Sequence, residues 1–207
     1  MTSFDPTLYL VSDPSATLGL VPTVLAAVEG GATLVQLRDK DATTDARADM
    51  ARSLIAALSP HGTPLIVNDD VEAAARSGAA GVHVGQSDAS AREARGALGP
   101  DAIIGLSVET FAQLERVPWD AVDYLGVGPV HATMSKADAA PPIGHDGVAR
   151  IAAAAPKPVV AIGGVTERDA AALKDAGVAG LAVISAISTS PDPRAAACAL
   201  RAAWRDA

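Results

Sequence analysis

The chain has 207 residues, a formal net charge of −8, 49% hydrophobic residues and only 3% aromatic residues. This acidic balance argues against nucleic acids and anionic membranes as partners, and no apolar stretch reaches the roughly 18 residues of a membrane span. The length favours one domain over residues 1–207, and the aliphatic composition is typical of parallel strands covered by helices.

The sequence also indicates a cellular compartment. Cys198 is the one cysteine of the chain, so no disulfide can form within it, and a reducing compartment is expected. We expect Cys198 to be a small buried residue of the Ala-rich C-terminal stretch. The N-terminal residues lack a basic region followed by a long apolar run, so no signal peptide is predicted. These features together predict a cytoplasmic protein.

Short apolar runs alternate along the chain with Ala-rich segments that suit helices. The runs predicted to be strands are eight in number: 8–12, 33–38, 64–68, 81–85, 103–108, 124–128, 159–163 and 181–185. The predicted helices between them include 18–29, 45–58, 71–76, 89–98 and 167–176. Several helices end in glycine, as at Gly78 and Gly177, where glycine supplies the left-handed residue that stops a helix.

This repeated strand–helix unit predicts an α/β fold, a single closed (β/α)8 TIM barrel. Eight units in 207 residues give about 26 residues each (207/8), at the compact end for this fold. The alternative is an open doubly wound sheet, but the even spacing favours closure and no Gly-x-Gly-x-x-Gly follows the first strand. Barrel enzymes carry their chemistry at the C-terminal ends of the strands, so polar residues there form the candidate site.

The second strand ends in a basic cluster. Gln36 and Arg38 alternate with apolar residues, and Lys40 follows in the turn. Concentrated positive charge in an acidic protein indicates an anionic ligand such as a phosphate. Basic residues just beyond a strand are more often solvated loop charges, but the alternation makes that interpretation less favourable here.

Oxygen-bearing side chains follow the third and fourth strands. Asn68 and Asp69 end the third strand, and Asp88 follows the fourth. Such oxygens suit Mg²⁺, which also binds substrate phosphates, although either aspartate could instead cap the next helix. His83 lies within the fourth strand and can be a hydrogen-bonded core histidine. No two histidines lie at the close spacing of a zinc motif, so zinc is not expected.

The fifth and sixth strands add hydroxyl groups and a lysine. Ser107 ends the fifth strand, and no Gly-x-Ser-x-Gly nucleophile motif is present. The sixth strand leads into a long polar loop that reaches Gly144, and a loop of this length in a compact barrel suggests a lid. Thr133, Ser135 and Lys136 could hold a phosphate when the lid closes, whereas the alternative is a disordered surface loop.

The seventh and eighth strands end in Gly163-Gly164 and Ile184-Ser185. Glycine lets backbone N–H groups approach an anion, and the N-terminus of the following helix adds its dipole. Barrels commonly hold a phosphate monoester at these two loops, so we expect one here. The alternative is that the glycines serve tight packing.

Taken in order, these strand ends resemble those of the thiamine-phosphate synthase family. The segments that carry the resemblance are VQLRDK (35–40), VND (67–69), HVGQSD (83–88), GVGP (126–129), TMSK (133–136), IGGV (162–165) and ISAI (184–187). The family joins a hydroxymethylpyrimidine diphosphate to a thiazole phosphate and releases pyrophosphate. The resemblance implies this reaction, these small-molecule substrates and Mg²⁺ as cofactor.

The resemblance also assigns residues to each ligand. The pyrimidine diphosphate would be bound by Gln36, Arg38, Lys40, Asn68, Ser107 and Lys136. The thiazole phosphate would be bound by Thr133, Ser135, Gly164, Ile184 and Ser185. The magnesium ligands would be Asp69 and Asp88. Direct roles in catalysis would fall to Arg38, Lys40, Ser107 and Lys136.

Three other functions compete with this interpretation. A thiazole tautomerase of the same fold would keep the monophosphate site, but its diphosphate site would be expected to lack Arg38, Lys40 or Asp69. A non-catalytic binding or regulatory barrel of the thiamine pathway would not need so complete a polar set. A generic phosphate-sugar isomerase would not explain Asn68 and Asp69. The oligomeric state is left open, and a homo-oligomer is compatible with the sequence.

Overall fold

The computed structural model describes residues 4–86, 90–133 and 140–207. Its strands form a closed parallel barrel in chain order, in which β8 pairs with β1. The strands are β1 (Leu8–Val11), β2 (Leu34–Leu37), β3 (Leu65–Asn68), β4 (Gly81–Val84), β5 (Ile103–Val108), β6 (Tyr124–Val127), β7 (Val159–Ala161) and β8 (Gly180–Val183). The predicted barrel is confirmed, and pairing of the first and last strands excludes the open sheet.

Helices follow the strands and cover the outside of the barrel. They are α1 (Leu20–Glu29), α2 (Thr44–Leu58), α3 (Val71–Ser77), α4 (Ala91–Leu98), α5 (Phe111–Leu114), α6 (Gly144–Ala154), α7 (Ala170–Asp175), α8 (Ser185–Ser188) and α9 (Pro193–Asp206). Two 3-10 turns lie at Ser59–His61 and Glu167–Asp169. Within the described ranges, none of the helices is both long and apolar enough to cross a membrane.

Alternation along the strands divides the core into two parts. A separate interior cluster is formed by Tyr9, Leu34, Ile66, Ile103, Tyr124, Val160 and Ala182. In β2, Leu34 belongs to this interior, whereas Val35 and Leu37 belong to the larger core shared with the helices. Because successive strand residues point to opposite faces, Gln36 points inward above Leu34, and Arg38 continues that inward row at the strand end.

Three sequence predictions are wrong in detail. The seventh strand was expected to extend to Gly163, but it ends at Ala161. The eighth strand was expected to extend to Ser185, but it ends at Val183 because Ile184 leaves the extended conformation (φ −114°, ψ −84°) and α8 begins at Ser185. Cys198 is exposed rather than buried, because the helical period places Ala197 and Leu200 on the inner face of α9.

Candidate active site

A cavity of about 560 Å³ opens at the C-terminal ends of the strands. The predicted site residues that line it are Gln36, Arg38, Lys40, Asn68, Asp69, Ser107, Thr133, Gly164, Ile184 and Ser185. The other predicted site residues, Asp88, Ser135 and Lys136, lie outside the described residues. Barrel closure therefore brings together residues from strands on opposite sides of the fold.

The basic residues lie on a well-anchored loop. The backbone N–H of Arg38 donates to Ser12 Oγ (3.0 Å), and the Arg38 side chain lies at the cavity wall. Asp39 does not line the cavity, because its Oδ1 accepts from the N–H groups of Asp41 (3.1 Å) and Ala42 (3.2 Å) in a local turn. Lys40 lies within this turn and lines the cavity.

Arg47 on α2 fixes this loop to the next strand end. Its Nη2 donates to the carbonyl oxygens of Asp39 (2.8 Å) and Ala42 (2.8 Å), and its Nη1 forms an ion pair with Asp70. The side chains of Arg47 and Asp70 are each only 12% exposed. Sequence reasoning missed Arg47, because an arginine in the first turns of an amphipathic helix carries no local signal of such a role.

The two adjacent aspartates after β3 have different roles. Asp70 caps α3 by accepting from the Ala73 N–H (2.8 Å). Burial tends to raise the pKa of the Asp70 carboxyl, but hydrogen bonds from Ala73, Thr44 and Arg47 outweigh it and lower that pKa. Asp70 is therefore the structural aspartate of the pair.

Asp69, in contrast, lines the cavity with a left-handed backbone (φ 62°). Asn68 Nδ2 donates to Asp69 Oδ2 at 2.5 Å, which links the two oxygen-bearing side chains. A left-handed non-glycine residue costs on the order of 1–3 kcal/mol and is found mainly at functional sites, although Asp tolerates it better than most residues. The strain supports a functional role for Asp69.

A hydrogen-bond network spans the floor of the cavity. His83 Nδ1 contacts Tyr124 OH (2.9 Å), which contacts Tyr9 OH (2.9 Å), which in turn accepts from Gln36 Nε2 (2.5 Å). On its other side, His83 Nε2 contacts Ser107 Oγ (2.9 Å). The network therefore connects Gln36 to Ser107, and it bears out the interpretation of His83 as a hydrogen-bonded core residue. Burial raises the pKa of both tyrosines, so both stay protonated.

Glycines form the opposite wall, at the end of β7. Gly163 (φ 95°) and Gly164 (φ 69°) are both left-handed, and a Cβ on Gly164 would lie 2.9 Å from the Cβ of His131. The His131 N–H donates to the Gly163 carbonyl (2.9 Å), and the Val130 N–H donates to that of Ile162 (2.9 Å). The segment after β6 is thus bonded to the β7 loop, and the packing role considered for these glycines is present.

The family model for thiamine monophosphate synthase matches residues 8–187. The chain belongs to the thiamine monophosphate synthase family. A thiamine-phosphate synthase of Xanthobacter autotrophicus is 51% identical over 202 residues, which are 97% of this chain and 96% of the relative. One from Azorhizobium caulinodans is 49% identical over 200 residues, 96% of this chain and 94% of the relative. The chain is accordingly a transferase of thiamine biosynthesis, and the competing functions are not favoured.

The solved structures agree with this membership. The thiamine phosphate pyrophosphorylase from Pyrococcus furiosus is 32% identical and superposes with a TM-score of 0.87, covering 97% of this chain and 96% of that one. The likeness therefore extends over nearly the whole length of both chains. The family resemblance inferred from the strand ends is therefore confirmed over the whole barrel.

Proposed function

We propose that this thiamine monophosphate synthase couples its substrates by a magnesium-assisted dissociative substitution. The diphosphate would lie at the ends of β2 and β3, and the thiazole phosphate at the ends of β7 and β8. One observation carries the proposal: Arg38, Lys40 and Asp69 share a single cavity with Gly164 and Ser185. Two anion-binding regions in one cavity of about 560 Å³ suit two phosphorylated substrates that must meet.

The residues at the end of β3 fit a magnesium ion. Asn68 and Asp69 offer amide and carboxylate oxygens, and Asp70 is occupied by its helix cap and Arg47. Asp88 is proposed as the second carboxylate on the family resemblance. When bound, the ion would neutralise charge on the diphosphate oxygens.

The basic residues stabilise the leaving group. Arg38 offers a planar fork of donors that suits a phosphate, and Lys40 adds a compact positive charge beside it. Lys136 is proposed to add a third positive charge. As the bond between the pyrimidine methylene and the diphosphate breaks, the electron pair leaves with the diphosphate, and these side chains bind it more tightly as its charge grows.

The floor of the cavity positions the pyrimidine. Gln36 and Ser107 would contact it, and the hydrogen-bond network through Tyr9, Tyr124 and His83 holds both side chains in place. The aminopyrimidine ring stabilises the methylene cation by electron donation. No side-chain nucleophile is needed, since the thiazole nitrogen supplies the electron pair that forms the new bond.

The glycine wall positions the thiazole phosphate. Backbone N–H groups near Gly164, Ile184 and Ser185 would donate to it, because the first N–H groups of a helix such as α8 have no partner within the helix. Thr133 and Ser135 would add hydroxyl donors. Holding the thiazole nitrogen beside the cation can be worth up to about 7–11 kcal/mol, and exclusion of water prevents its quenching.

The test is a coupling assay with pyrimidine diphosphate, thiazole phosphate and Mg²⁺, in which thiamine phosphate and pyrophosphate are measured, with EDTA as control. We expect product only with Mg²⁺, and strong loss of product in Asp69→Asn. Asparagine tolerates a left-handed backbone, so this change removes charge without adding strain. Asp70→Asn is the matched control and should retain coupling.

Either of two results would refute the proposal. Coupling that persists in EDTA would remove the role of magnesium. Failure to couple, together with isomerisation of a carboxythiazole phosphate, would make the chain a tautomerase. We also propose a cytoplasmic location, which is consistent with the free thiol of Cys198.

A further inference from the structure

Three side chains from separate segments meet beside the β7 loop. His131 follows β6, His145 lies in the first turn of α6, and Asp169 ends the 3-10 turn before α7. Asp169 Oδ1 lies 2.7 Å from His131 Nε2 and 2.9 Å from His145 Nε2. One nitrogen or oxygen atom from each of the three lies within 4.8 Å of the others.

The carboxylate is held in a fixed orientation. Asp169 is only 5% exposed, and its Oδ2 accepts from the Thr166 N–H (2.9 Å) and hydroxyl (3.0 Å). Its Oδ1 is therefore aimed at the two imidazoles. Metal-binding carboxylates typically have their second oxygen held in this way by neighbouring donors.

The two imidazoles remain accessible from solvent. The side chains of His131 and His145 are 45% and 38% exposed, and their rings are nearly perpendicular (86°) with centroids 5.4 Å apart. The two histidines reach the same carboxylate oxygen from different elements. Two nitrogens and one oxygen converging from three segments are a common set of metal ligands.

We propose that His131, His145 and Asp169 bind a divalent transition-metal ion, with Zn²⁺ the best match. Imidazole nitrogen suits zinc, cobalt and nickel, whereas magnesium prefers an all-oxygen set such as Asn68 and Asp69. Three protein ligands leave a coordination position for water. The ion would join the end of β6 and the start of α6 to the β7 loop, which carries Gly164.

The proposed site, if occupied, would revise the sequence-based expectation that zinc is not bound. That expectation considered closely spaced histidines on one element. Here the ligands come from three segments, and only the packing of the β6 and β7 loops brings them together. The site is separate from the proposed magnesium site and does not depend on the coupling mechanism.

The test is calorimetric titration of the metal-depleted full chain with zinc chloride, without substrates and with saturating Mg²⁺ to occupy the oxygen ligands. We expect one zinc ion per chain. His131→Gln and His145→Gln should each weaken binding by at least about tenfold, since loss of a residue that only hydrogen-bonds to a metal ligand already costs about 10–100-fold. Glutamine can still donate to Asp169, so the contact is kept while the metal-binding nitrogen is lost.

The matched control is His61→Gln, which changes an exposed histidine in the turn before β3 and should bind zinc like the unaltered chain. A measurement without substitutions is also available: zinc should shift the imidazole proton signals of two of the four histidines in an NMR spectrum. Absence of zinc binding by the unaltered chain would overturn the proposal. Unchanged binding by both His131→Gln and His145→Gln would do the same.

Discussion

The two sides of the cavity are made of different chemical groups. The ends of β2 and β3 contribute side chains, among them Arg38, Lys40 and Asp69, whereas the end of β7 contributes backbone at Gly163 and Gly164. Side-chain donors can be removed one at a time by substitution, but backbone donors can only be obstructed. The first side should therefore respond to loss of charge, and the second to added volume.

The largest expected effect is on the charged side. Arg38→Ala should lower kcat by about 10²–10³-fold, the usual cost of losing one donor that stabilises developing negative charge. The hydrogen bond from this residue to Ser12 Oγ is donated by the Arg38 backbone N–H, which alanine keeps. The melting temperature should therefore change little. Steady-state kinetics with Mg²⁺ measures the effect. Arg38→Lys should be intermediate, and an unaltered kcat in Arg38→Ala would remove Arg38 from the mechanism.

The adjacent residues Asp69 and Asp70 should respond differently to substitution. Changing Asp69 should affect catalysis, whereas changing Asp70 should affect stability. Asp70→Asn should lower the free energy of unfolding at neutral pH by about 1–3 kcal/mol through loss of the charge-assisted bond to Arg47. The folded-state pKa of Asp70 lies below its ordinary value of 3.8, so this stabilisation is present above that value and is lost as the pH falls through the lower folded-state pKa.

Denaturant unfolding at several pH values tests this prediction. The difference in stability between Asp70→Asn and the unaltered chain should shrink under acid conditions. A constant difference across the whole range would show that the ionised carboxylate is not its source.

The glycine wall should respond to a single methyl group. Gly164→Ala would force a left-handed alanine with its Cβ 2.9 Å from that of His131, at a cost of about 1–2 kcal/mol. If the cost falls on substrate binding, KM for the thiazole phosphate should rise by about 5–30-fold while KM for the pyrimidine diphosphate stays the same. Gly62→Ala is the control, since Gly62 has a similar φ of 65° and nothing within 4 Å of its added Cβ.

The smallest effect is expected at the floor between the two sides. Tyr124→Phe would remove the hydroxyl that joins His83 to Tyr9, and should lower the free energy of unfolding by about 0.5–1.5 kcal/mol. Chemical denaturation measures the loss, and kinetics should show a modest rise in KM for the pyrimidine diphosphate alone. An equal rise for both substrates would argue against a network dedicated to Gln36 and Ser107.

Most of the barrel could be predicted from the sequence, because the apolar runs and glycines that mark its strands and helix ends lie within short segments of the chain. Period-two alternation singled out Gln36 and Arg38 at the end of β2, and both line the cavity. Gly78 has the left-handed conformation (φ 75°) expected where a helix stops. The error at Cys198 has a local cause too: its Ala-rich helix gives little contrast between inner and outer faces. Patterns along one element therefore predicted strands better than the buried face of α9.

The interactions that the sequence did not reveal join residues far apart in the chain. Arg47 meets Asp70, and Tyr9 meets Tyr124, only because the barrel closes and the helices pack around it. The contact between His131 and Asp169 likewise needs two neighbouring loops to adopt one arrangement. No spacing rule encodes such pairs, so strand ends could be predicted while the contacts that orient their side chains could not.

The tyrosines and the tryptophans lie in different parts of the fold, so their absorption and emission report on different regions of the chain. Both tyrosines lie in the barrel interior, whereas the two tryptophans, Trp119 and Trp204, pack against the outer core shared with the helices. Tryptophan emission therefore reports on the helical shell. Tyrosine absorption reports on the barrel interior, so the two chromophores can follow the outside and the inside of the same molecule separately.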